Sequence, residues 1–239
     1  VLVEWPERIM DRPWTDVLLI DLSGRGGSRH AKLAASGAWV QAVERNDAIR
    51  SFLAGTPWMD AVRSFLEGDA SFRRYETLDD PAGRVILMDM PARPDGPPVK
   101  NGKPYSAIAH LAEDIRAVAA TNQQLRLMGY SAPEVRAVDL NVGLAVIEDL
   151  GRAVFGRMMA AGEDMREPMT AAVEVLADMA SRDWPSEVRI AESETYHLSD
   201  YDIDAQLIEV DLLPSWFWPH AFGHGIEGTA GQEFAGLWM

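Results

Sequence analysis

Residues 68–104 constrain the fold more than any other stretch of the chain. Gly68-Asp69-Ala70-Ser71 is turn chemistry, Phe72–Leu78 reads as a strand, Asp79–Gly83 turns again, and Arg84–Met90 is an apolar run of strand length. Pro91, Pro94, Pro97, Pro98 and Pro104, with Gly96 and Gly102, then exclude regular structure, and the loop Pro91–Pro104 is expected to be the most mobile internal connection. An isolated hairpin is at best marginally stable in water, so its apolar face needs a partner. The next residues supply one: Ile108, Leu111, Ile115, Val118 and Leu125 recur at helical spacing along a helix expected from Ser106 to Met128, stopped by Gly129. Val135–Leu140 and Leu144–Glu148 form a second hairpin about Asn141 and Gly143, expected to extend the same sheet. After Gly151 the pattern is mainly helical, near 153–161, 168–181 and 202–213. The class is α+β.

Upstream, strands are expected at Val1–Glu4, Asp16–Leu22 and Arg29–Ala35, the last two joined by Gly24-Arg25-Gly26-Gly27-Ser28. That glycine run is no phosphate loop of Walker type, because Lys32, Lys100 and Lys103 are the only lysines and none stands in the required frame. From Trp39 to Leu66 the period is helical: Val43, Ile49, Phe52 and Leu53 form one stripe ended by Gly55, and Thr56-Pro57 starts a second carrying Trp58, Val62, Phe65 and Leu66. Four blocks result: 1–37, a helical connection over 38–66, a sheet-and-helix module over 67–150, and helices over 151–239. Val1-Leu2-Val3 opens as a strand in progress. Thr229 and Gln232 have capping-box spacing before Phe234 and Leu237, so both ends are expected to be cut from a longer polypeptide.

Composition removes several function classes. Among 239 residues there is no cysteine, which excludes a zinc ribbon, a thiol nucleophile and a disulfide framework. No apolar stretch approaches the roughly 18 residues of a membrane span, and no secretory signal is present, so no membrane partner and a cytoplasmic location are expected. The net charge is −15, and it is lopsided. Residues 139–239 carry nineteen acidic and five basic side chains, which argues against direct nucleic-acid binding and favours cationic or neutral ligands.

Residues 68–90, GDASFRRYETLDDPAGRVILMDM, together with 144–151, LAVIEDLG, resemble the aminoglycoside-phosphotransferase family, in particular its branch of bacterial amino-sugar and cell-wall-sugar kinases, over about residues 45–239. The opening VEWPER, Val3 to Arg8, with the strands after it, resembles the C-terminal end of the TsaE-type ATPase subunit of the bacterial tRNA threonylcarbamoyladenosine system, over about residues 1–37. The first resemblance implies a protein-kinase-like small lobe of antiparallel sheet plus helix and the first part of a helical large lobe, preceded by a short β segment. It implies ATP and Mg²⁺, and a sugar hydroxyl as acceptor; an aminoglycoside is the variant within that class. A non-catalytic nucleotide-binding or relic module tied to tRNA modification is the alternative from another class.

Phosphoryl transfer needs a turn over the phosphates, a cation for their oxygens, a hinge whose backbone meets adenine, and a metal-holding acidic set. The resemblance puts Gly68, Asp69, Ala70, Ser71 and Arg73 at the phosphates, and Glu148, Asp149 and Leu150 at the hinge; an ordinary hairpin start and a plain strand-to-helix connection are the bland readings of the same residues. Two departures stand out. No basic residue occurs between Val85 and Asp89, where related kinases often carry a strand lysine near the position of Met88. Every Asn, at 46, 101, 122 and 141, precedes the hinge, so the asparagine that closes the catalytic loop is missing. His197 with Asp200, Asp202 and Asp204 imitates that loop only in part, and Ser199 or Asp202 reads better as a helix N-cap. No catalytic residue and no metal ligand is assigned; the Mg²⁺ ligands are expected beyond Met239. Asp200, Asp202 and Trp216 are the candidates for the sugar side, although an aromatic cluster such as Trp216-Phe217-Trp218 also reads as core. His220 and His224 have metal-ligand spacing, but Pro219, Gly223 and Gly225 oppose the helix that would align them. The oligomeric state is left open.

Overall fold

The computed structural model describes residues 15–24, 29–68, 72–226 and 228–238. The chain divides into two units, 1–61 and 62–239. In the first, β1 (Leu18–Ser23) pairs antiparallel with β2 (His30–Ala35), from Leu18 opposite Ala35 to Ser23 opposite His30. The hairpin is therefore as expected, while Val1–Glu4 and Arg25–Ser28 lie outside the described residues. Helix α1 (Ala38–Ala54) follows Gly37, whose φ is +58°. Gly37 has no side chain to cap the helix, and Asp16 does so instead, its Oδ1 accepting from Ala38 N at 2.8 Å. Gly55 closes α1 as expected. The second helix does not form: Val62–Leu66 is a strand, β3, so the helical connection read over 38–66 is helical only as far as Ala54.

The second unit is built on a five-stranded sheet. Strands β3, β4 (Arg74–Asp80) and β5 (Gly83–Asp89) run as a meander, and a small hairpin of β6 (Pro98–Lys100) and β7 (Lys103–Pro104) interrupts the proline-rich loop, which is thus not wholly irregular. Strands β8 (Val135–Asp139) and β9 (Leu144–Glu148) then add to β5 in the order β3-β4-β5-β9-β8, every neighbour antiparallel. The four strands foreseen do share one sheet, and β3 joins them as its edge.

Behind the sheet the expected single helix is two. Helix α2 (Tyr105–Ala109) ends at His110 in the left-handed conformation, φ 51° and ψ 43°, and α3 (Ile115–Leu127) starts afresh with Asp114 accepting from Arg116 N at 2.7 Å. Helix α3 covers one face: Ile115 packs with Ile86, Met88, Met90, Ala145 and Ile147, with Val118 and Tyr75 against them. Each such side chain buried contributes about 1.5–3 kcal/mol, which is what fixes α3 to the sheet. On the opposite face Leu78, Val85, Leu87, Leu144 and Val146 are also fully buried.

Beyond Gly151 come α4 (Phe155–Ala160) and α5 (Arg166–Ala180), then a hairpin of β10 (Glu187–Ala191) and β11 (Glu194–His197) that the helical reading missed. The hairpin is tied to α3 by an ion pair of Arg116 with Glu194 and by Gln123 Nε2 donating to Arg189 O at 2.9 Å. Helix α6 (Ile203–Val210) packs on α2 through Ile208 against Ile108 and Ala109. A π-helical turn (Leu213–Phe217), α7 (Trp218–Phe222) and α8 (Ala230–Gly236) follow. Thr229 does precede α8, but its hydroxyl donates to Glu233 Oε1 at 2.7 Å and makes no capping box with Gln232. No helix among the described residues is long and apolar enough to cross a membrane.

Candidate functional site

The turn and the hinge are placed by strand register. Leu66, the last residue of β3, lies opposite Tyr75, which lies opposite Met88 and then Ala145. Gly68 and Arg73 therefore belong to the connection between β3 and β4, at the end of the sheet where β5 finishes. Asp69, Ala70 and Ser71 lie outside the described residues. Gly68 sits against the Tyr75 ring, where an added Cβ would come 3.1 Å from Cδ2. Arg73 is half-buried, and Phe72 is 74 % exposed with the Arg93 guanidinium 4.2 Å from its ring centroid.

At the other end of the sheet Glu148 lies opposite Val85 and closes β9. Its side chain is engaged sideways: Oε2 accepts from Glu134 N at 3.1 Å and stands 3.8 Å from Arg126 Nη1. Asp149 folds the chain out of the strand by accepting from Gly151 N at 2.8 Å, with Gly151 at φ +90°. Leu150 between them is 58 % exposed. Beside the hinge, Arg84 Nε donates to Asp79 Oδ1 at 2.7 Å, and this bond holds the Asp79 carboxyl below the usual carboxylate range. Three residues of β9 separate the Ala145 and Glu148 levels, about 10 Å along the strand direction, and β3 is three strands away from β9, about 14 Å across.

The position where a strand lysine was missed is Met88. It is 5 % exposed and packs on Ile115 within the apolar cluster, so this position supplies no charge. Two cavities lie elsewhere. One, about 410 Å³, is walled by Leu213, Trp218, Ile226 and Phe234; the other, about 570 Å³, lies between α3 and β8 and is lined by Gln123, Arg126, Tyr130 and Val135. Neither takes a wall from the turn or the hinge.

The acidic and aromatic candidates are placed separately from both. Asp202 is the N-cap of α6, with Oδ1 accepting from Ala205 N at 2.9 Å, and that N–H holds its carboxyl below the usual range. Its other oxygen stands 3.5 Å from His110 Nε2. Asp200 is exposed in the segment before α6. Trp216 and Phe217 in the π-helical turn are 73 % and 57 % exposed and Trp218 is half-buried at the wall of the smaller cavity, so none of the three lies in the core. His220 ends in α7 while His224 follows Gly223 in the left-handed conformation, so the two rings do not share a helix face. Sequence reasoning missed Arg93: it lies 21 residues from Phe72, inside a loop, and no periodicity reports such a contact.

No protein-family profile matches the chain. The chain is similar to an N-acetylmuramate/N-acetylglucosamine kinase of Caulobacter vibrioides, 32 % identical over 204 residues, which is 82 % of this chain and 56 % of that protein. It is also similar to a protein of the same name from Neisseria meningitidis serogroup B, 27 % identical over 163 residues, 67 % of this chain and 40 % of the relative. The chain thus spans about half the length of the curated relatives it matches.

Proposed function

We propose that this chain is the nucleotide-binding part of an ATP-dependent amino-sugar phosphotransferase of the aminoglycoside-phosphotransferase type, whose acceptor is a hydroxyl of N-acetylmuramate or N-acetylglucosamine. The observation that carries the reading is the sheet order β3-β4-β5-β9-β8 with α3 against one face. The turn after Leu66 and the hinge after Glu148 leave the same sheet at opposite ends, so a nucleotide laid along the strands has its phosphates at Gly68–Arg73 and its adenine at Glu148–Leu150. The two named kinases support the acceptor class, and the acidic second half of the chain suits the uncharged N-acetylglucosamine better than N-acetylmuramate, which carries a carboxylate.

In this reading the backbone of Glu148 and Leu150 holds the adenine edge while Asp149 fixes the bend. Gly68, lacking a Cβ, lets the turn approach the phosphates, with Ser71 and Arg73 as their partners. Residues 62–150 form the small lobe and 151–239 the beginning of the helical lobe. Phosphoryl transfer uses a divalent cation to bridge and neutralise the phosphates. This chain's share in the reading is to bind and orient the nucleotide. Residues 1–37 are assigned by their resemblance to the TsaE-type tail, carried by Val3 to Arg8 outside the described residues and by the β1–β2 hairpin.

The test is nucleotide binding to the 239-residue protein, followed by NMR of its amide and indole resonances during titration with ATP and with adenosine. Both ligands are expected to shift hinge resonances, and ATP alone to shift those of Gly68 and Arg73. Shifts confined to other elements would overturn the assignment.

A further inference from the structure

The larger cavity, about 570 Å³ between α3 and β8, has no part in the nucleotide reading, and its volume is that of a small-molecule site, roughly 300–1,000 Å³. One wall is apolar. Val135 and Val138 line it from β8, with Val138 opposite Ala145 and so on the face of the sheet that α3 covers; Leu127 at the end of α3 and Ile190 of β10 complete it. The other wall carries amides. Asn122 and Gln123 line it from α3; Asn122 is half-buried and its side chain makes no hydrogen bond among the described residues, while Gln123 spends Nε2 on Arg189 O and keeps Oε1 to accept. Two charges of opposite sign, Arg126 and Glu134, share the lining, so neither an anion nor a cation finds a net counter-charge there. An unengaged amide N–H and carbonyl oxygen beside aliphatic side chains fit a ligand with the same groups, a neutral secondary amide on an apolar body.

We propose that the cavity between α3 and β8 binds an uncharged N-acyl compound, its amide held by Asn122 and Gln123 and its hydrocarbon part against Leu127, Val135 and Val138, and that its occupancy is felt at the hinge. Arg126 Nη1 stands 3.8 Å from Glu148 Oε2, and the same oxygen accepts from Glu134 N at 3.1 Å, so a ligand that displaces either lining residue alters the support of the Glu148 carboxylate. Glu148 opens the hinge, and this second effect rests on the nucleotide reading above; the site itself does not.

The experiment titrates N-butylacetamide into the 239-residue protein and follows backbone and side-chain amides by NMR, with butanoate, butylammonium and N-butyl-N-methylacetamide as comparisons. The Asn122 and Gln123 side-chain signals are expected to shift and to saturate at roughly millimolar concentration, the affinity open to so small a ligand. The two ions, and the tertiary amide that has no N–H, bind at least about tenfold more weakly. Asn122→Ala weakens N-butylacetamide about fivefold, and Leu127→Glu, at a position 73 % exposed and so tolerant of a charge, weakens it about tenfold. Shifts that do not saturate, equal binding of the ions, or unchanged affinity in either variant overturn the site. Adenosine affinity is then measured with and without saturating N-butylacetamide, and a change of about threefold is expected, with the same factor appearing in the amide's affinity when adenosine is bound. Unchanged adenosine affinity overturns the link to the hinge alone. Failure of adenosine to bind overturns the nucleotide reading and the link with it, while the site stands on the amide titration.

Discussion

Gly143 shows how one residue can decide a local fold. It sits in the turn between β8 and β9 at φ +73°, where an L side chain is strained, and a Cβ built on it falls 2.4 Å from the Met90 carbonyl oxygen and 2.8 Å from Pro91 Cα. Both neighbours are backbone and cannot swing away. The approach is close because Met90 N donates to Gly143 O at 2.9 Å, fastening the end of β5 to this turn. Asp139 shapes the same turn, its Oδ1 accepting from Asn141 N at 3.0 Å and Val142 N at 2.9 Å. Gly143→Ala is therefore expected to cost about 2–4 kcal/mol, left-handed strain plus overpacking, read as a lower urea midpoint with an unchanged m value. The turn itself was legible from Asn141 and Gly143, because positive φ selects residue types. The contact with Met90 was not, since nothing local in the sequence records which backbone will lie alongside. Arg93 over Phe72 is the same case on the side-chain side.

At the scale of elements, legibility followed how completely each one is buried. Strands β5 and β9, apolar on both faces, and α3, with its strong stripe, stood out. The edge strand β3 did not. Trp58, Val62, Phe65 and Leu66 have helical spacing, yet Val62 and Phe65 are 67 % and 79 % exposed while Leu66 packs on the sheet's apolar cluster, so the spacing reported no common buried face. The break between α2 and α3 was hidden because Ile108, Leu111, Ile115 and Val118 stay in helical phase across it, although Asp114 before Ile115 carried an N-cap signal. Residues 187–190, Glu-Val-Arg-Ile, alternate as a strand should, and the hairpin at β10 was readable there. Short α2 owes its place to α6: Tyr105 OH donates to Glu209 Oε1 at 2.6 Å, beside the Ile108–Ile208 contact. Burial, with the nearby Glu209 carboxylate, pushes the Tyr105 phenol up to about 12. The unfolded chain releases that proton near 10 while the folded chain keeps it, so this contribution to stability is complete below pH 10 and declines as pH rises towards 12. Tyr105→Phe is expected to lose about 1 kcal/mol at neutral pH and to remove one late-ionising tyrosinate from the absorbance titration at high pH. An unchanged titration would place the late phenol elsewhere.

For the whole molecule the question is whether binding extends to turnover. In the proposed reading the sheet carries the turn and the hinge, whereas residues 151–239 contain no asparagine to close a catalytic loop. Asn46 is on α1, Asn101 is in the β6–β7 turn at φ +51°, Asn122 is on α3 and Asn141 is in the β8–β9 turn. None follows Leu150. Of the acidic residues from Asp149 onward, Asp149 accepts from Gly151 N, Asp178 from Tyr130 and Arg182, Asp202 caps α6 and Glu209 accepts from Tyr105. Positioning alone lowers a barrier, yet charge developing on the transferred group needs a preorganised counter-charge to be carried through the transition state. The 239 residues alone are therefore expected to bind ATP and to show no turnover. The measurement is ADP release with Mg²⁺ and N-acetylglucosamine, N-acetylmuramate or a cationic aminoglycoside, assayed on protein whose ATP binding has first been shown. Sugar phosphate formed in proportion to ADP would place a complete catalytic set within these residues and overturn the assignment of binding alone.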